Sequence, residues 1–418
     1  MESVGDEVIV PTTDAPSRRQ MHIAMGMTAV ILFAVVLANG LVLSGTTHDF
    51  AGIYAAARAV SHGEGSRLYD LSTQGQAQET LFHWGGVLAF LQPPFETWLF
   101  APLALLPYTA AYVVWGAANI ALWVAFVYLL RPYAPAPRHS LQYVLLCFLF
   151  FPAWVALMQG QTSILLLFLL SWAFVNLKRG REGWAGVCMG LGLIKFPVVV
   201  PLGLILLLKG KWRLMAGFAG TTVALGAVSL FTIGSTGMIT YFHLLMDAAR
   251  HSSFRPSGIK VAEMPNLRGF FHVVLSSVVS APAINGCVLA ASVLLIGYVV
   301  WRWRREGAEE GPAFDVMFAA ALLIAQVTAF HLLIHDLSPA LLAVLLIIGA
   351  GRYPQGSRWP AVGKASIAVL YAVPVCLLLF RAEPMFILAP VVVLLAWAGM
   401  AGIPRGGQLE NQIGFTNL

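Results

Sequence analysis

The chain has 418 residues, of which 59% are hydrophobic and 11% charged, with a formal net charge of +6. So apolar a composition excludes a soluble globular domain and describes a chain dissolved mainly in lipid. The positive balance does not point to nucleic acid, because the basic residues occupy short loops between apolar runs, where they set orientation in a membrane.

Several runs can cross about 30 Å of hydrocarbon, which takes roughly 20 helical residues. Lipid offers no partner to exposed backbone groups, so these runs are expected to be helices, and the short alternating segments of a barrel are not seen. Residues 1–20 read as a cytoplasmic tail carrying Arg18 and Arg19. The first run, Ile23 to Leu43, is too long for a signal-peptide core and no small-residue cleavage pattern follows it, so it reads as a retained anchor. A first outer loop, 44–92, comes next. In it Phe50, Ile53, Ala57 and Val60 recur at helical spacing, which predicts a helix lying along the interface.

Residues 93–130 are too long for one span and short for two. Pro107 breaks them, and the first half is expected to be re-entrant or a partial span. Runs 140–157 and 162–177 go out and back, turning at "MQGQ" (Met158 to Gln161), and runs 184–194 and 197–208 do the same at "KFP" (Lys195 to Pro197). Single crossings at 214–233 and 284–301 enclose a second outer loop, 234–282. There Met238, Tyr241, Phe242 and Leu245 predict another interfacial helix. Later pairs turn at "FHLLIHD" (Phe330 to Asp336) and "RAEP" (Arg381 to Pro384), before a cytoplasmic tail, 404–418. Basic clusters at Arg18-Arg19, Arg131 to His139, Lys178 to Arg181, Lys209 to Arg213, Arg302 to Arg305 and Arg352 to Lys364 all face the cytoplasm on this scheme. The count is about twelve crossings, with 21–403 as one all-α transmembrane domain. Cys147, Cys188, Cys287 and Cys376 lie far apart in apolar segments and read as packing thiols.

This topology sorts the remaining polar residues onto the outer face. Asp49 has two readings. "TTHD", Thr46 to Asp49, fits a capping box, whereas a carboxylate at the lipid boundary is costly unless it is used. Lys195 interrupts "GLGLIKFPVVV" at the turn farthest from the cytoplasm; it either snorkels to the outer headgroups or meets a buried anion such as a lipid phosphate. The cations of loop two read as a solvated loop near anionic lipid, but "MPNLRG" has the composition of a shaped segment. His331 and His335 stand four apart, a metal-compatible spacing without a third ligand nearby. Gly186 and Gly190 form a GxxxG packing motif. The sequence parts of soluble nucleotide-sugar, NTPase, hydrolase and redox chemistry are absent.

In order along the chain, "HDFAGIYAAARAVSHGEGSRLYD", "QPPF", "PLALLP", "MQGQTSILLL", "GLIKFPVVVPLGLILLLKGKWR", "MPNLRG" and "HLLIHDLSPALLAVLL" resemble glycosyltransferase family 87, which includes polyprenyl-phosphate-mannose-dependent mannosyltransferases. The resemblance implies a GT-C fold with a catalytic Asp just after the first span, here Asp49. It implies an inverting, metal-independent transfer of one sugar, mannose first, from a polyprenyl-phosphate donor to a hydroxyl of a glycolipid or glycan. The active site would face the periplasm or exterior of a bacterial-type plasma membrane. Asp49 would be the general base, assisted by His331 or His335, with Lys195, Arg268 and Arg255 on the donor phosphate. His48, Tyr54, Gln159, Gln161, Asn266 and Asp336 are the expected acceptor or sugar contacts. A transporter or lipid flippase is the rival from another class, and would place polar groups near the midplane. A lipid-linked glycan ligase is the rival among enzymes.

Overall fold

The computed structural model describes residues 18–42, 49–83, 87–133, 140–250, 253–254, 259–350, 361–379 and 384–403. In chain order the helices are α1 (Arg18–Val42), α2 (Phe50–Ser61), α3 (Leu71–Phe82), α4 (Glu96–Phe100), α5 (Tyr108–Leu130), α6 (Ser140–Phe148), α7 (Phe151–Met158), α8 (Ser163–Lys178) and α9 (Glu182–Leu191). They continue as α10 (Phe196–Lys209), α11 (Trp212–Arg250), α12 (Leu267–Leu275), α13 (Ala281–Glu306), α14 (Gly311–Thr328), α15 (Ala340–Ala350), α16 (Ala361–Leu379) and α17 (Leu388–Ala401). One two-residue antiparallel ladder, β1 (Ser253–Phe254) with β2 (Ile259–Lys260), interrupts an otherwise helical set of described residues. Six helical stretches are long and apolar enough to cross a membrane, seven with the bent pair α6–α7. The protein is a polytopic helical membrane protein.

Helices α14 and α15 are apolar on all sides and almost wholly buried, so they form the centre. Helices α1, α11 and α13 turn large apolar side chains such as Val30, Phe231 and Leu294 outward, as lipid-facing helices do. The bend of 52° between α6 and α7, inside the apolar run 140–157, follows from Pro152, which cannot donate the bond that would continue α6. The Trp154 indole donates to the freed Phe148 carbonyl at 2.5 Å.

Residues 93–130 resolve into the short helix α4, a 3₁₀ turn at Leu103–Leu105, the break at Pro107 and one long span, α5. The stretch 182–209 is continuously helical, and as a straight rod would extend about 40 Å. Its ends nevertheless meet, because Lys211 Nζ lies 3.1 Å from Glu182 Oε1. The chain therefore goes in and returns, with the 3₁₀ turn Gly192–Lys195 at its apex. Helix α11 breaks at Gly234, whose φ of 68° a glycine adopts without strain. This is the boundary at which the apolar crossing was expected to give way to the second loop.

Three basic clusters gather at one end of the helical body. Lys178 donates to Asp315 at 2.6 Å and to the Gly311 carbonyl at 3.2 Å, while Lys211 holds Glu309 as well as Glu182. Lys209 also pairs with Glu309, and Arg304 donates to the Leu208 carbonyl. Every polar contact of the candidate site lies at the opposite end.

Close packing of α9 on α11 depends on glycine. A Cβ added at Gly186 would stand 2.0 Å from the Leu214 carbonyl oxygen, and one at Gly190 would stand 2.5 Å from the Thr221 Cβ. Gly186→Val should therefore destabilise the protein by about 1–3 kcal/mol, the usual cost of overpacking. Gly220→Ala, with open space around it, should not, and thermal unfolding in detergent compares the two.

Candidate active site

The turn between α7 and α8 is the foundation of the site. Gly160 takes a φ of +64° there, and a Cβ on it would collide with Phe50 at 2.7 Å. The indole of Trp115 donates to the Gly160 carbonyl at 2.9 Å. Gln159 then receives the start of α2 twice: its carbonyl accepts from Phe50 N at 3.0 Å and its Oε1 from Asp49 N at 3.2 Å. Asp49 is thereby fixed as the residue preceding α2, and its carboxylate makes no capping bond to that helix. Thr46, the other half of the expected capping box, and His48 lie outside the described residues.

The freed carboxylate points across the turn. Gln161 Nε2 donates to Asp49 Oδ2 at 2.7 Å, and Lys195 Nζ donates to Gln161 Oε1 at 2.8 Å. Lys195, at the apex between α9 and α10, also pairs with Asp336 Oδ1 at 2.9 Å. Ser163 Oγ donates to that same oxygen at 3.0 Å, and Leu333 N donates to Oδ2 at 3.1 Å. His335 Nε2 stands 3.4 Å from Asp336 Oδ1. A single Gln thus links Asp49 to a buried Lys–Asp pair in a chain of hydrogen bonds that spans the sequence from residue 49 to 336.

These groups wall a cavity of about 150 Å³. Asp49, Gln161, Lys195, His331, His335 and Asp336 form its polar side, and Ile194, Phe196 and Val198 form an apolar flank. Among the described residues, the His331 imidazole carries no hydrogen bond, and burial lowers its pKa to about 4, so it is neutral at pH 7. Burial works to raise the Asp336 carboxyl, but His335 and Lys195 beside it hold it well below the usual carboxylate range. No group of three His, Cys, Asp or Glu side chains among the described residues is placed to hold a metal ion.

Other expected site residues are placed elsewhere. Tyr54 is buried and donates to the Leu106 carbonyl at 2.7 Å, inside an aromatic cluster with Phe50 and Tyr108. Asn266 is fully buried, caps α12 by accepting from Gly269 N at 2.8 Å, and donates to the Ala329 carbonyl at 2.8 Å. "MPNLRG" is thus a shaped segment, and Gly269 is required in it, since a Cβ would lie 2.0 Å from the Met264 carbonyl oxygen. Arg268 donates to the carbonyls of Phe330 and Ala248 at 3.4 and 3.3 Å, behind the cavity wall rather than on it. Arg255 lies outside the described residues.

Glu96, on α4, was not singled out in the sequence. Its side chain is wholly buried, with Thr162 alongside and Lys195 and Asp336 within electrostatic range, yet neither carboxyl oxygen nor the Thr162 hydroxyl completes a hydrogen bond. Three consecutive residues, Gln161, Thr162 and Ser163, therefore face three acids: Asp49, Glu96 and Asp336. Burial lifts the Glu96 pKa from 4.5 to about 8. Between those values the folded protein holds a proton that the unfolded chain releases, so stability falls as pH rises through that window. Glu96→Gln should remove this loss. Thermal unfolding at pH 5 and pH 9 should show a smaller pH difference in the variant, and equal differences would remove Glu96 as the source.

A model of glycosyltransferase family 87 matches residues 90–334. No curated protein and no solved structure matches the chain. The matched stretch contains Glu96, Gln161, Lys195 and His331, while Asp49, His335 and Asp336 lie outside it and join it through the hydrogen bonds just described. Since the match covers more than half of its length, the chain belongs to glycosyltransferase family 87.

Proposed function

We propose that the protein transfers a single sugar, mannose first among the candidates, from a polyprenyl phosphate to a hydroxyl of a glycolipid or glycan, with inversion. The observation that carries this reading is the shared cavity: a partly buried Asp49 and the Lys195 ammonium face one space, bridged by Gln161, beside an apolar flank suited to a lipid tail. The chain would make about twelve passes in a GT-C arrangement with both termini cytoplasmic. The cavity would then open on the periplasmic or extracellular side, opposite the basic clusters, as the positive-inside rule favours.

In this mechanism Asp49 takes the proton of the acceptor hydroxyl as its oxygen attacks the anomeric carbon, and the bond from that carbon to the phosphate oxygen breaks on the opposite face. Gln161 holds the carboxylate by one oxygen and leaves the other for the proton. Lys195 has three N–H bonds, two of which are committed to Gln161 and Asp336. The third meets the charge developing on the departing phosphate. His331, on the cavity wall, would hydrogen-bond a sugar or acceptor hydroxyl, and His335 and Asp336 would orient Lys195. Arg268 adds positive field from behind Phe330. No metal is needed in this scheme, because fixed cations supply the electrostatic role. Among the described residues, Lys195 is the one Lys or Arg lining the cavity, which favours a monophosphate donor over the pyrophosphate of a glycan ligase. The small volume favours one sugar over a whole glycan.

Purified protein incubated with a panel of polyprenyl-phosphate sugars should consume one of them in an acceptor-dependent way. Asp49→Asn should lower turnover by about 10²–10⁴-fold, the span of general-base contributions, with thermal stability and donor binding preserved; undiminished turnover would remove Asp49 from the chemistry. Lys195→Ala should raise the KM for donor more than that for acceptor, and equal changes would count against a phosphate contact.

A further inference from the structure

One wall of the cavity is a short connecting segment. Leu88 to Gln92 line it, in a segment belonging to neither helix nor sheet. Two buried glutamines of α3 pin this segment from behind. The Gln78 amide bonds both backbone groups of Leu88, donating from Nε2 to the carbonyl and accepting at Oε1 from the N–H, each at 2.8 Å. A neighbouring β-strand would engage one residue in the same two-bond fashion. Gln74 Oε1 accepts from Phe90 N at 2.8 Å, while its Nε2 donates to the Leu68 carbonyl at 2.8 Å.

The spacing explains why a helix can serve as this surrogate strand. Side chains at i and i+4 on a helix are about 6 Å apart, and residues i and i+2 of an extended chain are about 6.6 Å apart. Gln74 and Gln78 therefore match Phe90 and Leu88. Gly52 on α2 lets the segment approach, since a Cβ there would press on the Leu88 carbonyl oxygen at 3.1 Å. Backbone groups of alternate residues in an extended chain face opposite edges, so those of Ala89 and Leu91 face away from α3. The Leu91 carbonyl is taken by the Tyr241 hydroxyl at 3.3 Å and its N–H by Gln92 Oε1 at 3.0 Å. Among the described residues, the Ala89 N–H and carbonyl carry no hydrogen bond.

We propose that this segment is the acceptor-recognition rail: the Ala89 N–H and carbonyl bind a pair of neighbouring hydroxyls on the acceptor sugar, and Gln74 and Gln78 are its positioning residues. One hydroxyl accepts from the N–H while the next donates to the carbonyl, a pairing a vicinal diol meets without strain. The rail stands beside Asp49 on the cavity, so a sugar held on it presents a further hydroxyl to the base. The inference rests on the transferase reading above and adds to it the identity of the acceptor contact.

The test uses full-length protein in detergent, a consumed polyprenyl-phosphate sugar, and octyl mannoside, glucoside and galactoside as acceptor probes. Gln78→Met, Gln74→Met and Ala89→Pro, the last of which removes the N–H, should each raise the KM for the accepted octyl glycoside about tenfold, the effect of losing one or two hydrogen bonds. The KM for the donor should stay within about twofold. A monodeoxy octyl glycoside lacking the bound hydroxyl should reproduce the rise in the wild type and add little in Ala89→Pro. Melting temperatures identify any variant that fails to fold, and the deoxy series on wild-type protein decides without variants. Acceptor KM unchanged in folded variants, equal rises for donor and acceptor, or a wild type that consumes donor but uses no octyl hexoside would each overturn the rail. A wild type that consumes no polyprenyl-phosphate sugar would instead overturn the transferase mechanism itself.

Discussion

The site depends on one buried ion pair, Lys195 with Asp336. Side-chain exposures of 11% and 6% place both charges where each alone would be costly, so the pair is tolerable because further hydrogen bonds satisfy it. Ser163, Leu333 N and Gln161 supply them. The consequence is positional. Lys195 stands at the apex of a helical hairpin and Asp336 on a turn before α15, and their bond ties these two elements to the first turn of α8. Asp49 joins last, through Gln161, and it alone of the two acids bonded in this network retains partial exposure. A fixed, fully paired acid and an accessible, partly paired one differ in what they can do with a proton, and the proposed mechanism gives the base role to the second.

Much of this was legible along the chain because it depends on local pattern. Basic loops predicted which segment ends lie together, and Lys178, Lys209, Lys211 and Arg304 do meet at one end. A lysine inside "GLIKFP" marks a turn by its own cost in lipid, and Gly234 marks the end of an apolar run by its composition. Asp49 was ambiguous in sequence, since an acid after a Thr three residues earlier serves equally as a cap. The hydrogen bond from Gln161, more than a hundred residues away in the chain, ties its carboxylate to the cavity, and no local pattern could supply it.

What the sequence hides is pairing between distant segments. Glu96 in "PPFETW" reads as an ordinary helix-start acid, because nothing nearby shows that α8 and the α9–α10 hairpin will close over it. Gln74 and Gln78 read as the polar face of a short surface helix, and their burial appears once the backbone of Leu88 and Phe90 is laid against them. Tyr54 and Asn266 fail as cavity residues for the opposite reason. Their polar atoms are consumed by carbonyls at Leu106 and Ala329, so they hold the frame on which the cavity is built.

The three polar residues at the turn into α8 have a consequence for how the cavity comes into being. Gln161 and Thr162 lie in the turn and Ser163 begins the helix, so three consecutive residues face three different acids. A slip of α8 by one residue would hand every acid the wrong partner at once, replacing an amide with a hydroxyl at Asp49 and a hydroxyl with Ile164 at Asp336. The register of this one short segment therefore sets the neighbours of all three carboxyls together.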